Sequence, residues 1–202
     1  MKKYRMTLSL VALLFVALAS SAQTAREVLD KAAAAVSVKE GITATFTMKS
    51  AQFGNASGSI AVKGRMFHAV TSDAQIWFDG TTQWTYLKRN DEVSVTTPTE
   101  AQLQTINPYT FISMYRKGYT YSMTQNSASF IVHLVATDQN SRVKEMFITV
   151  NKKNYHPTEL KLLQGRKWTE FSVGSITRKS LPDSEFRFSQ SLLPSAEVID
   201  LR

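Results

Sequence analysis

From residue 42 to residue 178 the chain alternates between apolar and polar side chains, in short runs separated by turn residues. The first run places Ala44, Phe46 and Met48 between threonines. A period of two puts successive side chains on opposite faces of a β-strand, and short turns join antiparallel neighbours. The pattern predicts about eleven strands in an antiparallel meander, which forms either a barrel or a strongly curved sheet. The predicted strands are 42–49, 60–62, 66–71, 76–78, 83–88, 93–96, 119–125, 128–137, 143–151, 158–164 and 167–178.

One helix is predicted before the strands. Thr24 and Glu27 have the spacing of a capping box, in which each side chain accepts a hydrogen bond from the other residue's backbone N–H. Apolar residues follow at helical spacing over 25–38, and several of them are alanines. The small side chains indicate that this helix lies close against the sheet.

A second helical segment interrupts the meander at 97–118. Two short helices are predicted within 99–116, separated by the Asn107–Pro108 break. Helical insertions of this length in a compact domain usually act as lids or covers. We therefore expect this pair to cover one face of the sheet.

Residues 1–22 resemble a signal peptide, with three basic residues, an apolar stretch over 7–19 and a small-residue cleavage site before Gln23. The alternative is an uncleaved anchor helix. Residues 23–202 would form one domain with 21 basic and 16 acidic residues, a net charge of +5. Because the chain contains no cysteine, it has no site for lipid anchoring at an N-terminal Cys, and we expect a soluble protein of the bacterial periplasm.

No catalytic or metal-binding pattern is present. His68, His133 and His156 lack metal-ligand spacing, and no nucleophile elbow, phosphate-binding loop or dinucleotide fingerprint occurs. The acidic pair at residues 91–92 lies in a predicted turn, where both carboxylates usually face water. We therefore expect a protein that is not an enzyme and that uses no cofactor, metal or nucleic acid.

Several predicted strands carry large apolar side chains on both faces, as in 76–78 and 130–132. Three short helices would fill a large concave face poorly, so a cavity for an apolar ligand is one interpretation. A solid core built from the same side chains is the other.

Four stretches resemble the periplasmic carrier family for outer-membrane lipoproteins, the LolA-like proteins. They are the first helix with strand 42–47, the segment 58–67, the Asp-Gly-x-x-x-Trp-x-Tyr pattern within 76–86, and the Asn-Pro-Tyr segment at 107–109. The segment at 63–66 departs from the family pattern because it lacks a proline.

The resemblance implies an unclosed β-barrel with a helical lid and a cavity that shields acyl chains during transfer from the inner to the outer membrane. A basic residue helps to hold the lid shut in this family, and Arg65, followed by Lys63, is its nearest match. The implied partners are lipoprotein acyl chains or another lipid, an inner-membrane donor complex and an outer-membrane acceptor, with the carrier as a monomer. The alternative is a periplasmic sensor or adaptor that uses the same fold to bind an envelope protein.

The candidate cavity lining consists of large apolar side chains from the strands and the lid, although alternation alone leaves open which side of each strand faces inward. These residues are Phe46, Met48, Ile60, Val62, Phe67, Trp77, Trp84, Tyr86, Phe111 and Met114.

Overall fold

The computed structural model describes residues 23–37, 39–52, 54–99, 102–103 and 115–202. One α-helix, α1, spans Ala25–Val36, and two short 3₁₀ helices span Asp183–Phe186 and Gln190–Leu192. The twelve strands found in these residues are β1 (Ile42–Ser50), β2 (Gly54–Lys63), β3 (Met66–Thr71), β4 (Ala74–Phe78), β5 (Gln83–Leu87), β6 (Glu92–Thr96), β7 (Tyr119–Gln125), β8 (Ser129–Ala136), β9 (Val143–Asn151), β10 (Pro157–Gln164), β11 (Lys167–Arg178) and β12 (Glu197–Asp200).

The strands form one sheet in the order β12-β6-β5-β4-β3-β2-β1-β11-β10-β9-β8-β7. Consecutive strands pair within β1–β6 and within β7–β11, and β1 joins the two meanders by pairing with β11. These pairs are antiparallel, and β12 pairs with β6 in parallel. The strands β7 and β12 are the two edges, so the predicted mainly β, unclosed and barrel-like architecture is confirmed.

The junction between the two meanders contains a β-bulge. The β1–β11 register shifts between Ala44 and Phe46, so that β11 has one more residue than β1 over this stretch. Gly174 lies at the shift, where an added Cβ would be 2.2 Å from the Thr45 hydroxyl. Bulges increase the local twist and bend of a strand, so the curvature is concentrated at this junction.

The helix α1 begins with the predicted capping box. The Glu27 carboxylate accepts from the Thr24 backbone N–H at 2.8 Å, and the Thr24 hydroxyl accepts from the Glu27 N–H at 3.2 Å. The apolar stripe of α1 is buried and packs on the concave face of the sheet with side chains from β8, β9 and β10. The prediction of a helix lying close against the sheet is therefore confirmed.

The chain between β6 and β7 connects β6, which lies next to the edge strand β12, to β7, the strand at the opposite edge of the sheet. Its described residues include Thr99, which receives a hydrogen bond from the Gln102 backbone N–H and donates its own N–H to the Gln102 side chain. This reciprocal cap is that of a starting helix. Residues 100–101 and 104–114, which make up most of the predicted lid, lie outside the described part of the chain.

Tyr115 follows this segment and fixes its far end to α1. It is 1% exposed and packs with the α1 residues Val28 and Leu29, and its hydroxyl donates a hydrogen bond to Asp30. Burial, together with the hydrogen bond to the Asp30 carboxylate, raises the pKa of Tyr115 above its ordinary value.

Residues 181–196, which we call the C-terminal strap, cover the convex face of β2–β6. Leu181 and Phe186 are buried against Ala61, and Phe188 packs on Trp77 with ring centroids 5.5 Å apart. Three contacts between charged or titratable side chains also join the strap to the sheet, namely Lys63–Asp183 at 2.9 Å, His68–Glu185 at 3.1 Å and Arg187–Asp79 at 3.2 Å. The sequence patterns did not predict this segment.

Candidate functional site

A cavity of about 400 Å³ lies on the concave face of the sheet. Side chains from β1, β2, β3, β4, β9, β10 and β11 line it, and α1 contributes Val36 at one end. The lining residues are Val36, Ile42, Ala44, Thr45, Phe46, Met48, Ala56, Ile60, Val62, Ala69, Thr71, Ile76, Ile148, Pro157, Leu160, Leu162, Gln164, Thr169, Phe171, Val173 and Ile176.

The cavity lining is apolar and uncharged. Four of its 21 described residues are polar, namely three threonines and Gln164, and none is ionisable. Thr169 shares a hydrogen bond of 2.9 Å with Ser50, which satisfies both buried hydroxyls. This lining can hold a hydrocarbon by excluding water, but it offers no group for acid–base or nucleophilic chemistry.

Two of the polar residues mark one end of the cavity. Gln164 and Thr169 lie beside the β10–β11 turn, and Met48 lies two residues before the end of β1 at the same end of the sheet. At the other end the lining includes Ile42 and Val62, which are register partners in β1 and β2. The cavity therefore runs along β1 from an apolar end to a more polar end. Ile42 and Met48 are six residues apart in this strand, which corresponds to about 20 Å.

A glycine in β2 makes room for the central aromatic side chain of this face. Gly58 pairs with Phe46, whose ring would lie 3.3 Å from an added Cβ at this position. The same Cβ would come within 2.0 Å of the Val70 carbonyl oxygen in β3. A side chain at residue 58 would therefore force β2 and β3 apart beside the cavity.

Comparison with known proteins identifies the family. The model of the family described as outer membrane lipoprotein carrier protein LolA matches residues 15–166. The chain belongs to this family. No curated protein sequence matches it significantly.

The fold is similar to those of solved bacterial structures. An uncharacterized conserved protein from Thermus thermophilus superposes with a TM-score of 0.58 at 14% identity, covering 88% of this chain and 99% of that one. A LolA superfamily protein from Nitrosomonas europaea gives a TM-score of 0.45 at 11% identity, covering 83% and 99% of the two chains. A putative outer membrane lipoprotein-sorting protein domain from Vibrio parahaemolyticus gives 0.45 at 14%, covering 83% and 97%. At these identities the likeness concerns the fold.

Four predicted site residues line the cavity of this LolA family member, namely Phe46, Met48, Ile60 and Val62. Phe67 belongs to the same buried cluster as Ile60 and Val62 but does not line the cavity, and its ring lies 5.5 Å from that of Phe78. Phe111 and Met114 fall outside the described residues. A role of these side chains in lipid binding stays a prediction.

Three predicted lining residues lie on the opposite face of the sheet. Trp77, Trp84 and Tyr86 belong to one cluster on the convex face, where they pack with Phe188 and Leu193 of the C-terminal strap. The prediction that they line the cavity is therefore wrong. Alternation separated the two faces of β4 and β5 correctly, but the aromatic face turns toward the strap.

The predicted latch residues lie at the β2–β3 turn. The Lys63 ammonium donates hydrogen bonds to the Leu181 carbonyl at 2.8 Å and to Asp183 at 2.9 Å. Among the described residues, Lys63 therefore binds the C-terminal strap. Arg65 is an exposed turn residue. Because most of the lid lies outside the described residues, its latching by Arg65 stays a prediction.

Sequence reasoning missed the second wall of the cavity. Leu160 and Leu162 of β10 and Phe171 and Val173 of β11 line it. The alternation within the predicted strands 158–164 and 167–178 carried the necessary signal. Only the pairing of β1 with β11, which is distant in sequence, places these residues beside the lining residues of β1 and β2.

The histidines described in strands serve structural contacts on the convex face. His133 Nε2 lies 2.7 Å from Glu145 Oε1, and the ring stacks on Phe147 at 4.3 Å. His68 stacks on Trp77 at 4.9 Å. The described residues contain no cluster of three His, Cys, Asp or Glu side chains that could hold a metal. None of their helices is long and apolar enough to cross a membrane.

Proposed function

We propose that this protein is a periplasmic carrier that shields lipoprotein acyl chains, or a related lipid, and moves them from the inner to the outer membrane. The observation that carries the proposal is the uncharged apolar cavity of about 400 Å³ on the concave face. Membership of the outer membrane lipoprotein carrier family supports it. We propose that the protein acts as a soluble monomer without a cofactor, after removal of residues 1–22.

The cavity volume indicates the size of a suitable cargo. A cavity of about 150 Å³ accommodates a benzene molecule, or roughly 25 Å³ per carbon, so 400 Å³ corresponds to about 16 carbons. At about 0.8 kcal/mol per buried methylene, a chain of this length gains about 13 kcal/mol of transfer free energy before the costs of association. The described part of the cavity therefore suits one long acyl chain.

The described cavity lining has no reactive group that could release the cargo by a chemical step. Hydrophobic transfer is reversible and needs no chemical step, so release requires an acceptor that binds the chain more tightly. We propose an inner-membrane donor complex and an outer-membrane acceptor as the two partners.

Lipid extraction and mass spectrometry of the purified protein test the proposal. We expect stoichiometric co-purified lipid, and displacement of a bound fluorescent fatty acid by added long-chain lipids. A lipid-free protein that does not bind the probe and forms a tight complex with an envelope protein would refute the carrier function and favour the adaptor.

A further inference from the structure

The convex face of the sheet is covered unevenly. The C-terminal strap buries the outer side of β2–β6, whereas the clusters that contain strap residues include no residue of β8–β11. Five apolar side chains share the outer side of β8–β11, and we call them the convex patch. They are Ile131, Val135, Phe147, Leu163 and Trp168.

The most exposed members of the convex patch lie at one end of the sheet. Val135 is 41% exposed at the end of β8, and Trp168 is 37% exposed at the start of β11. The Trp168 ring lies 5.9 Å from that of Phe147, which fixes its position on the face. An exposed tryptophan held by a neighbouring ring presents a rigid amphipathic surface.

Basic residues surround this end. The segment before β7 contains Arg116 and Lys117, the β8–β9 region contains Arg142 and Lys144, and the β10–β11 turn contains Arg166 and Lys167. Three acidic residues lie nearby, and two of them have basic or histidine partners. They are Asp138, Glu145 at 2.7 Å from His133, and Glu170 at 3.2 Å from Lys161. This end is therefore positively charged around an exposed apolar patch.

The cavity reaches the same end of the sheet. Thr169 and Gln164 line its more polar end, and Trp168 is the residue directly before Thr169. Because successive strand residues face opposite sides, Trp168 belongs to the outer surface and Thr169 to the cavity. A surface that contacts Trp168 would lie beside the more polar end of the cavity.

We propose that this end of the sheet docks on an anionic lipid surface. Tryptophan favours the interface between water and the hydrocarbon of a membrane, and basic residues near an anionic surface each strengthen binding by about fivefold. A lipid surface fits the observed combination of clustered positive charge and protruding apolar side chains. Docking is separate from the proposed cargo function, because it concerns the outer surface and can be measured without a cavity ligand.

Vesicle flotation of residues 23–202 tests the proposal. We expect binding to vesicles of equal parts phosphatidylglycerol and phosphatidylcholine, weaker binding as salt rises, and little binding to pure phosphatidylcholine. The double variant Arg166→Glu/Lys167→Glu should bind the anionic vesicles at least tenfold more weakly. The matched control is Lys152→Glu/Lys153→Glu, which makes the same charge change in the β9–β10 turn at the opposite end of the sheet and should retain most of the binding.

Tryptophan emission provides a second, position-specific measurement. Addition of anionic vesicles should shift the emission to shorter wavelength, and the shift should disappear in Trp168→Phe, because Trp77 is only 2% exposed and Trp84 packs with the C-terminal strap, away from this end. Folding of each variant is checked by circular dichroism. Failure to bind anionic vesicles, equal weakening by both charge-reversal pairs, or an unchanged shift in Trp168→Phe would each overturn the proposal. A protein acceptor would then be the partner to seek for this surface.

Discussion

A carboxylate placed inside the cavity should separate lipid binding from folding. Met48 lines the cavity near its more polar end and pairs with Ala56 and Phe171 on either side. Met48→Glu introduces an ion into this apolar lining, and an isolated ion in an apolar environment costs several kcal/mol unless water or a partner solvates it. Because the cavity has room for water, we expect the variant to fold with its carboxylate hydrated.

The loss of affinity follows from the space that the hydrated carboxylate takes. Two water molecules occupy about 60 Å³, which is the volume of two to three carbons at the scale used above. Excluding three methylenes from the cavity removes about 2.4 kcal/mol of transfer free energy, or roughly a fiftyfold increase in Kd. Burial raises the pKa of a carboxyl group, so binding should recover as the pH falls and the introduced group is neutralised.

Fluorescent fatty-acid titration measures this change, with Thr47→Glu as the matched control. Thr47 is the neighbouring residue of β1, exposed on the opposite face, so the same substitution should leave Kd within about twofold. Thermal unfolding of both variants reports on stability. Equal affinities for the two variants, or loss of folding only in Met48→Glu, would refute the reasoning that this side chain faces an open cavity.

Three further predictions concern the C-terminal strap, the contact of Tyr115 with α1 and the removal of residues 1–22. Phe186→Ala, at a fully buried strap residue, should lower the free energy of unfolding in urea by about 3 kcal/mol; a loss below about 1 kcal/mol would mean that the strap unfolds separately. Tyr115→Phe removes the hydrogen bond to Asp30 and should cost about 1 kcal/mol at neutral pH. Because the folded-state pKa of Tyr115 is raised, that stability is present below pH 10 and is lost as the pH rises through the folded pKa, so wild type and variant should converge in alkali. The intact mass of the exported protein should correspond to a chain that starts at Gln23, and a mass that includes residues 1–22 would contradict the predicted cleavage.

Local pattern was sufficient to predict most of the strands and the helix start. The period of two in β1 needs only neighbouring residues, and the Thr24–Glu27 capping box is complete within four. The same local information put Phe46, Met48, Ile60 and Val62 on one face. These residues line the cavity because β1 and β2 form a hairpin, whose register is set by a short turn.

The direction in which each face points could not be predicted locally. In β4 both faces are apolar, and the concave one carries Ile76 while the convex one carries Trp77. Which face meets the cavity depends on what covers the other, and here that is the C-terminal strap. The strap contacts the sheet through unevenly spaced residues, including Phe186 and Leu193, so no helical or strand period identifies it.

In the described part of the chain, the presence of a cavity follows from the short length of α1, whereas its place follows from the topology. The helix α1 has 12 residues and is about 18 Å long, whereas twelve strands at about 4.8 Å spacing form a sheet more than 50 Å wide along its curve. One helix of this length therefore covers only part of the concave face. Its buried stripe packs over β8–β10, and Val36 at its end reaches the cluster of β1–β4, in which Leu103 is also buried. Among the described residues, the concave surface that α1 leaves uncovered lies at the β1–β11 junction, where the cavity is found.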